Sequence, residues 1–237
     1  MVTFRKPADG WTLPPALDRP EVMAIGDSMY NGMQSITIDR PLASLSPPAR
    51  VAAALDVPFL VPDYPEPILI DLEKVLRTKA RIWLGGGIGT TTAVVAELLK
   101  AIGPTLREVA ANGRRWVDRS LTGFGPPRLF DNLALSGAEV EHLLDWDATA
   151  WRAELRRWQP VVTAQSSPLR WALPETVGTP RRGLGELHMA INGAFLLDPA
   201  AVPELASLRP LDMVALRRPR RLLVNIGANH GLVRLTG

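Results

Sequence analysis

The sequence predicts an α/β fold with a central parallel sheet, because three short apolar runs alternate with helical patterns. The runs are "EVMAIGD" at 21–27, "RLFDNLALSGA" at 128–138 and "RRLLVNIGANHG" at 220–231. None of them alternates in polarity, and each ends in small, turn-forming residues, as buried strands of a parallel sheet do. We therefore expect three buried strands with helices between them.

The helical patterns are of different lengths. Residues 91–103 follow a glycine turn and have the apolar spacing of an amphipathic helix. Shorter helices are predicted at "SPPARVAAAL" with Ser46 as N-cap, at 186–197 and at 199–208. A single helix ending before Pro160 is predicted from five apolar residues at helical spacing: Val140, Leu144, Trp151, Leu155 and Trp158.

Length and composition fit one domain over residues 1–237, since the 237 residues are 46 % hydrophobic. The connections between the three runs are long, and we expect insertions at about 38–80 and 160–218. Seven prolines between 41 and 67 argue against central strands there. These insertions either form a cap over a site, using aromatics such as Tyr64 and Trp83, or are ordinary decoration of the fold.

Several classes of function are disfavoured by composition. The chain has no cysteine, which excludes disulfides, zinc–thiolate sites and a cysteine nucleophile. No cofactor and no metal site are expected. No apolar stretch reaches about 18 residues, so we expect no transmembrane segment. The N-terminus lacks the apolar core of a secretory leader, which favours a cytoplasmic location.

Two further motifs have ordinary explanations. "GGGIGTTT" at 85–92 fits neither a Walker motif nor G-x-G-x-x-G, so a tight turn is the simpler reading and an anion-binding turn the alternative. "RRPRR" at 217–221 has a net charge of the right sign for nucleic acid but no interleaved aromatic residues. We interpret it as a solvated lead-in to the last strand and expect no nucleic-acid partner.

The three predicted strand ends are the strongest functional signal. They read Gly26-Asp27-Ser28, Ser136-Gly137-Ala138 and "GANH" at 227–230. Sites in parallel sheets form at the carboxyl ends of strands, so these residues are expected to converge. Ser28 is either a helix-capping turn residue or a nucleophile, and a nucleophile needs a base and oxyanion donors. The elbow G-x-S-x-G is absent, because Tyr30 occupies its second glycine position.

In this order, "IGDSMYNG", "NLALSGA" and "VNIGANHG" resemble the first three sequence blocks of the SGNH or GDSL-type serine hydrolases. The resemblance implies a flavodoxin-like three-layer α/β/α fold and an esterase, lipase or acetylhydrolase acting on a small or lipid-like ester. It assigns Ser28 as the nucleophile. It also implies an oxyanion hole made by the backbone N–H groups of Ser28 and Gly137 and the side-chain amide of Asn229.

The sequence departs from the family pattern at the base. His230 stands where the family has aspartate, and no Asp-x-x-His block occurs. The resemblance therefore implies the N-terminal part of a longer hydrolase, with a sheet incomplete at its C-terminal edge. Such an edge favours a homo-oligomer or pairing with a missing C-terminal segment. Accessory candidates are Asp27, His230 and His188, whereas His142 is expected on the surface.

A second hypothesis is a catalytically incomplete binding or assembly module on the same fold. It follows from the missing Asp-x-x-His block and from His230 at a normally acidic position.

Overall fold

The computed structural model describes residues 19–34, 37–69, 91–125, 128–164, 183–198 and 200–227, with only the backbone described for 91–106. Trp83, the glycine turn at 85–90, Asn229 and His230 lie outside the described residues. In the described part of the chain the fold is α/β, with many helices around a small parallel sheet.

Strand β1 (Val22–Gly26) is completely buried and lies between the other two apolar runs. On one side it pairs in parallel with β2 (Arg221–Asn225), with Val22 opposite Arg221 and Gly26 opposite Asn225. On the other side it bonds to residues 131–135. Ala24 N–H donates to the Asp131 carbonyl at 2.8 Å, and the N–H groups of Leu133 and Leu135 donate to Ala24 and Gly26 at 2.8 and 2.9 Å. The parallel arrangement of the three runs is thus confirmed.

Two of the three runs differ from the expected buried strands. Residues 131–135 form no regular strand and make a single parallel bridge, between Asn132 and Ala24. Strand β2 is not buried: 39 % of Leu222 and 51 % of Val224 are exposed. The described residues therefore contain a sheet of two regular strands, and the three-layer flavodoxin-like arrangement is not established by them.

The helices in the described ranges are α1 (Ser28–Asn31), α2 (Arg40–Ser44), α3 (Pro47–Ala54), α4 (Thr91–Thr122), α5 (Val140–Leu144), α6 (Ala148–Ala164), α7 (Leu184–Leu197), α8 (Pro203–Ala206) and α9 (Pro210–Arg217). The predicted helices at α3 and α7 are confirmed, and Ser46 is the residue before α3, although its side chain makes no capping hydrogen bond. Of the helix predicted at 199–208, only the four residues of α8 are helical.

The single helix predicted from Val140 to Trp158 is wrong, because the chain forms α5 and α6 instead. Asp147 starts the second helix: its carboxylate accepts from the Ala150 N–H at 2.8 Å. The predicted stripe is split accordingly, since Val140 and Leu144 are exposed while Trp151 and the rest of the stripe are buried.

Helix α6 also continues past Pro160, where the sequence predicted its end. Proline has no backbone N–H, so Pro160 cannot donate the helical hydrogen bond to the carbonyl of Arg156, four residues earlier. Arg156 and Pro160 both lie on the exposed side of the helix. Water can therefore satisfy the carbonyl of Arg156, and the helix tolerates the proline.

The core is built around Phe195 of α7. The Phe195 ring lies 4.9 to 5.8 Å, centroid to centroid, from the rings of four aromatic residues: Tyr64, Trp116, Phe124 and Phe130. Tyr64 is therefore a core residue. The described part of the 38–80 insertion contributes buried side chains to the same core, among them Ile38 and Ile68.

A buried ion pair joins the two flanks of β1. Arg217, at the end of α9, donates to the Asp131 carboxylate at 2.6 Å and to the Phe130 carbonyl at 2.7 Å. The other Asp131 oxygen accepts from the Leu60 N–H at 2.6 Å. Burial raises the pKa of Asp131, and the Leu60 N–H and the Arg217 charge oppose that shift.

We expect Asp131→Asn to lower the free energy of unfolding by about 3 kcal/mol, because the substitution removes the counter-charge that Asp131 gives to buried Arg217. Urea unfolding at neutral pH measures this loss. The control is Asp63→Asn. Asp63 is also paired with two arginines, Arg40 and Arg128, but on the surface, where such pairs contribute less than about 1 kcal/mol. Equal losses in the two variants would contradict the prediction.

Candidate functional site

Ser28 is the first residue of α1, and one residue separates it from the end of β1. Asp27, fully buried between them, is the helix N-cap: its carboxylate accepts from the Met29 N–H at 3.1 Å. The Asp27 N–H donates to the Asn225 carbonyl at 2.8 Å, which connects the end of β1 to the end of β2. Gly26-Asp27-Ser28 is thus a strand-to-helix turn, and it leaves Ser28 half-buried at the carboxyl end of the sheet.

Gly26 permits this close approach of β2. A Cβ at position 26 would lie 2.0 Å from the Asn225 carbonyl oxygen, and the residue has φ of +150°. A side chain at this position would therefore push β2 away from β1. Glycine at position 26 is a requirement of the strand pairing itself.

Gly137 lies at the same edge as Ser28. The N–H of Leu135 donates to the Gly26 carbonyl at 2.9 Å, so the turn that contains Gly137 and the turn that leads to Ser28 both follow segments that end at this edge of the sheet. Gly137 has φ of +82°, and the turn is closed by a hydrogen bond from the Ala138 N–H to the Leu135 carbonyl at 3.1 Å. The structure thus brings together two of the three strand ends that the sequence singled out.

Two asparagine side chains hold α1 against the 131–135 segment. Asn31 donates to the Ala134 carbonyl at 2.7 Å, and Asn132 donates to the Tyr30 carbonyl at 2.9 Å. The two bonds run in opposite directions across the same contact. They fix the start of α1, and with it Ser28, relative to the Gly137 turn.

The backbone N–H groups of Ser28 and Gly137 make no hydrogen bond to any residue that the structure describes. Unused N–H groups at the end of a sheet can stabilise an oxyanion, because their dipoles are fixed in position before the reaction. The third donor suggested by the resemblance, Asn229, is outside the described residues; the described chain ends at Gly227, just after β2.

Neither described histidine is a free base beside Ser28. The His142 Nδ1 accepts from the Glu139 N–H at 2.9 Å, and its ring stacks on Trp151 with centroids 5.4 Å apart. His142 is therefore half-buried and structural, not a surface residue as expected. His188 on α7 is 1 % exposed, and neither ring nitrogen bonds to a described residue. Burial lowers the pKa of His188 to about 4, so the ring is neutral at pH 7.

Sequence reasoning missed a buried polar contact between Tyr64 and Asn192 of α7. The Tyr64 hydroxyl donates to the Asn192 side-chain carbonyl at 2.7 Å. Burial raises the pKa of Tyr64, and its hydrogen bond with Asn192 opposes that shift. His188 and Asn192 lie one turn apart on the same face of α7. Two polar residues at this spacing in the otherwise apolar "ELHMAINGAFLL" were the available signal.

No protein-family model, no curated protein and no solved structure matches the chain. The likeness to SGNH hydrolases therefore remains one of short motifs. Among the described residues there is no group of three or more His, Asp or Glu side chains that could hold a metal ion. No helix in the described ranges is long and apolar enough to cross a membrane.

We expect the free energy of unfolding to fall as the pH drops from 6.5 towards 4, and His188 to cause on the order of 3 kcal/mol of that fall. The unfolded chain binds a proton at His188 below its ordinary pKa of 6.5, whereas the folded chain binds it only near 4. The contribution is thus fully present above pH 6.5 and is lost progressively as the pH falls from 6.5 to about 4.

Urea unfolding of His188→Leu and Ile191→Val at pH 7 and pH 4.5 tests this expectation. The pH dependence should be weaker in His188→Leu and remain in Ile191→Val, which shortens a fully buried side chain of the same helix without removing a titratable group. An unchanged pH dependence in His188→Leu would show that another group is responsible.

Proposed function

We propose that the chain is a serine ester hydrolase with Ser28 as nucleophile. The observation that supports this most strongly is the set of hydrogen bonds from the 131–135 segment to β1, because the turns at Ser28 and at Gly137 follow these two adjacent segments. Both residues have backbone N–H groups without a partner among the described residues. The order of the three motifs along the chain agrees with the resemblance to SGNH hydrolases.

In the proposed reaction the Ser28 Oγ attacks the carbonyl carbon of an ester and passes its proton to a base. The new oxyanion accepts hydrogen bonds from the N–H groups of Ser28 and Gly137, with the Asn229 amide as the third donor. Each donor of this kind contributes on the order of 3 kcal/mol to the stability of the transition state. The alcohol leaves with the proton, and water then releases the acid from Ser28.

Neither described histidine is suited to act as the base in this reaction. His142 is engaged at the start of α5, and His188 is buried and neutral. The candidates are His230, next to Asn229 in the sequence, and a histidine supplied from outside this chain. Asp27 is not assigned as a base, because it caps α1 and holds β2.

A non-catalytic binding module at the same edge is the second candidate. It is favoured by the observation that neither described histidine has an imidazole available beside Ser28. In this case the two N–H groups would hold a ligand carbonyl or carboxylate without turnover.

We further propose a small or lipid-like ester as substrate, a cytoplasmic location and no nucleic-acid partner. The exposed apolar side chains of β2, Leu222 and Val224, support contact of this part of the sheet with a second copy or a further segment.

We expect a fluorophosphonate probe to modify Ser28, as located by mass spectrometry, and Ser28→Ala to abolish both labelling and ester hydrolysis. Loss of a serine nucleophile typically lowers kcat by roughly 10⁶-fold. Ser44→Ala is the control, since Ser44 is an exposed serine whose hydroxyl donates only within α2. Full hydrolysis by Ser28→Ala would refute the assignment, and absence of labelling in the unsubstituted chain would favour the binding module.

A further inference from the structure

The backbone groups of strand β2 face two different sides. At one end of the strand the Arg221 N–H donates to the Glu21 carbonyl at 3.0 Å, and at the other end the Asn225 carbonyl accepts from the Asp27 N–H at 2.8 Å. In a parallel pair, every second residue directs both its N–H and its C=O to the same neighbouring strand. The backbone groups of Arg221, Leu223 and Asn225 are therefore the ones that bond to β1.

Leu222 and Val224 consequently direct their N–H and C=O groups away from β1. These four groups have no hydrogen-bond partner in the described ranges, where the sheet consists of β1 and β2. The two side chains are also open to solvent, since 39 % of Leu222 and 51 % of Val224 are exposed. The outer edge of β2 thus combines apolar side chains with available backbone donors and acceptors.

The sequence of β2 does not protect this edge. Proteins commonly prevent edge-to-edge pairing with proline, with charged side chains or with bulges in the edge strand. The charged side chain in β2 is Arg221 at its first position, and it pairs at 3.4 Å with Glu21, the residue before β1. The next three residues are leucine, leucine and valine. The edge is therefore suited to receive another strand.

We propose that the outer edge of β2 binds the same edge of a second copy of the chain, with the two strands antiparallel and centred on Leu223. In an antiparallel pair, opposed residues exchange both of their hydrogen bonds at every second position. With Leu223 at the centre, Leu222 of each copy lies opposite Val224 of the other. The outward N–H and C=O groups of both copies are then all satisfied.

No other antiparallel register satisfies both residues within β2. A pairing centred on Leu222 would place Val224 opposite Arg220, and one centred on Val224 would place Leu222 opposite Ile226. Arg220 and Ile226 both lie outside the strand. The strand itself therefore selects the register centred on Leu223.

The side chains agree with this register. Leu222 and Val224 lie on one face of the sheet, so the two copies combine four exposed apolar side chains into one strip. Arg221 lies opposite Asn225 of the other copy, which keeps the two arginines apart. A twofold axis through Leu223 relates the copies, so the contact closes after two copies and does not continue into a fibre.

The two candidate sites remain separate in this dimer. Ser28 follows β1, which runs parallel to β2. Because the two β2 strands run in opposite directions, the two site edges lie at opposite ends of the extended sheet. The inference therefore does not depend on the proposed function of Ser28.

Cysteine cross-linking tests the register, because the chain contains no cysteine of its own. Leu223→Cys places two thiols at an opposed position without hydrogen bonds, where the Cα atoms are about 4.5 Å apart and a disulfide can form. Leu222→Cys is the matched control, since its two thiols lie on a diagonal of about 7–8 Å, which is too long for a disulfide. In a glutathione redox buffer we expect a covalent dimer from Leu223→Cys and little from Leu222→Cys on a non-reducing gel.

Sedimentation equilibrium over a range of concentrations measures the association itself. Val224→Pro removes an outward N–H and leaves the hydrogen bonds between β2 and β1 in place. We expect this variant to raise the dissociation constant of the dimer at least about tenfold, because the dimer loses two hydrogen bonds. Val224→Thr keeps the N–H and a branched side chain, and it should dimerise much as the unsubstituted chain does. Circular dichroism establishes that both variants are folded.

The outcomes either support the pairing or overturn it. Covalent dimers from Leu223→Cys and weaker association of Val224→Pro would support it. An unsubstituted chain that stays monomeric at every concentration would overturn the inference, as would equal cross-linking of Leu222→Cys and Leu223→Cys. A folded Val224→Pro that dimerises as tightly as the unsubstituted chain would show that a different surface forms the contact. The cysteine variants decide the question even where Val224→Pro does not fold.

Discussion

The candidate site depends on the buried ion pair between Asp131 and Arg217. The Asp131 carbonyl accepts from Ala24 of β1, and its carboxylate binds Arg217 and the Leu60 N–H. Arg217 ends α9 just before β2 begins. This ion pair therefore holds the 131–135 segment and the start of β2 in place beside β1. It also determines the position of the turns that follow these two segments. Buried charges are tolerated only when their hydrogen bonds are satisfied, which makes this contact specific for one arrangement.

A second buried pair does the same for the helices. Arg152 of α6 donates to the Asp198 carboxylate at 2.7 Å and to the Ser120 carbonyl of α4 at 3.0 Å. The other carboxylate oxygen of Asp198 accepts from the Val202 N–H. The end of α7 is thereby tied to α4 and α6, and α7 is the helix that places Met189 beside the Gly137 turn. One buried ion pair therefore holds the segments beside β1, and a separate one holds helices α4, α6 and α7 together.

The sequence predicted best what is decided locally. Gly-Asp after an apolar run was enough to place the turn at Ser28, because the cap and the close strand contact involve adjacent residues. The irregular 131–135 segment was not predictable in this way: Asn132 bonds to the Ala134 N–H and across to Tyr30, and such side-chain bonds compete with a regular strand ladder. The exposure of β2 and the core position of Tyr64 depend on distant packing, which no local pattern specifies.

The site supports two candidate functions because the backbone supplies its N–H donors, whereas a separate side chain would have to supply the base. Gly26 and Gly137 shape the edge through backbone geometry alone: one admits β2, and the other turns the chain with a positive φ. The N–H donors are therefore in place whether or not a histidine is present. Under the proposed function a base would add turnover to this edge without rebuilding it, and under the alternative the same donors would only bind a ligand.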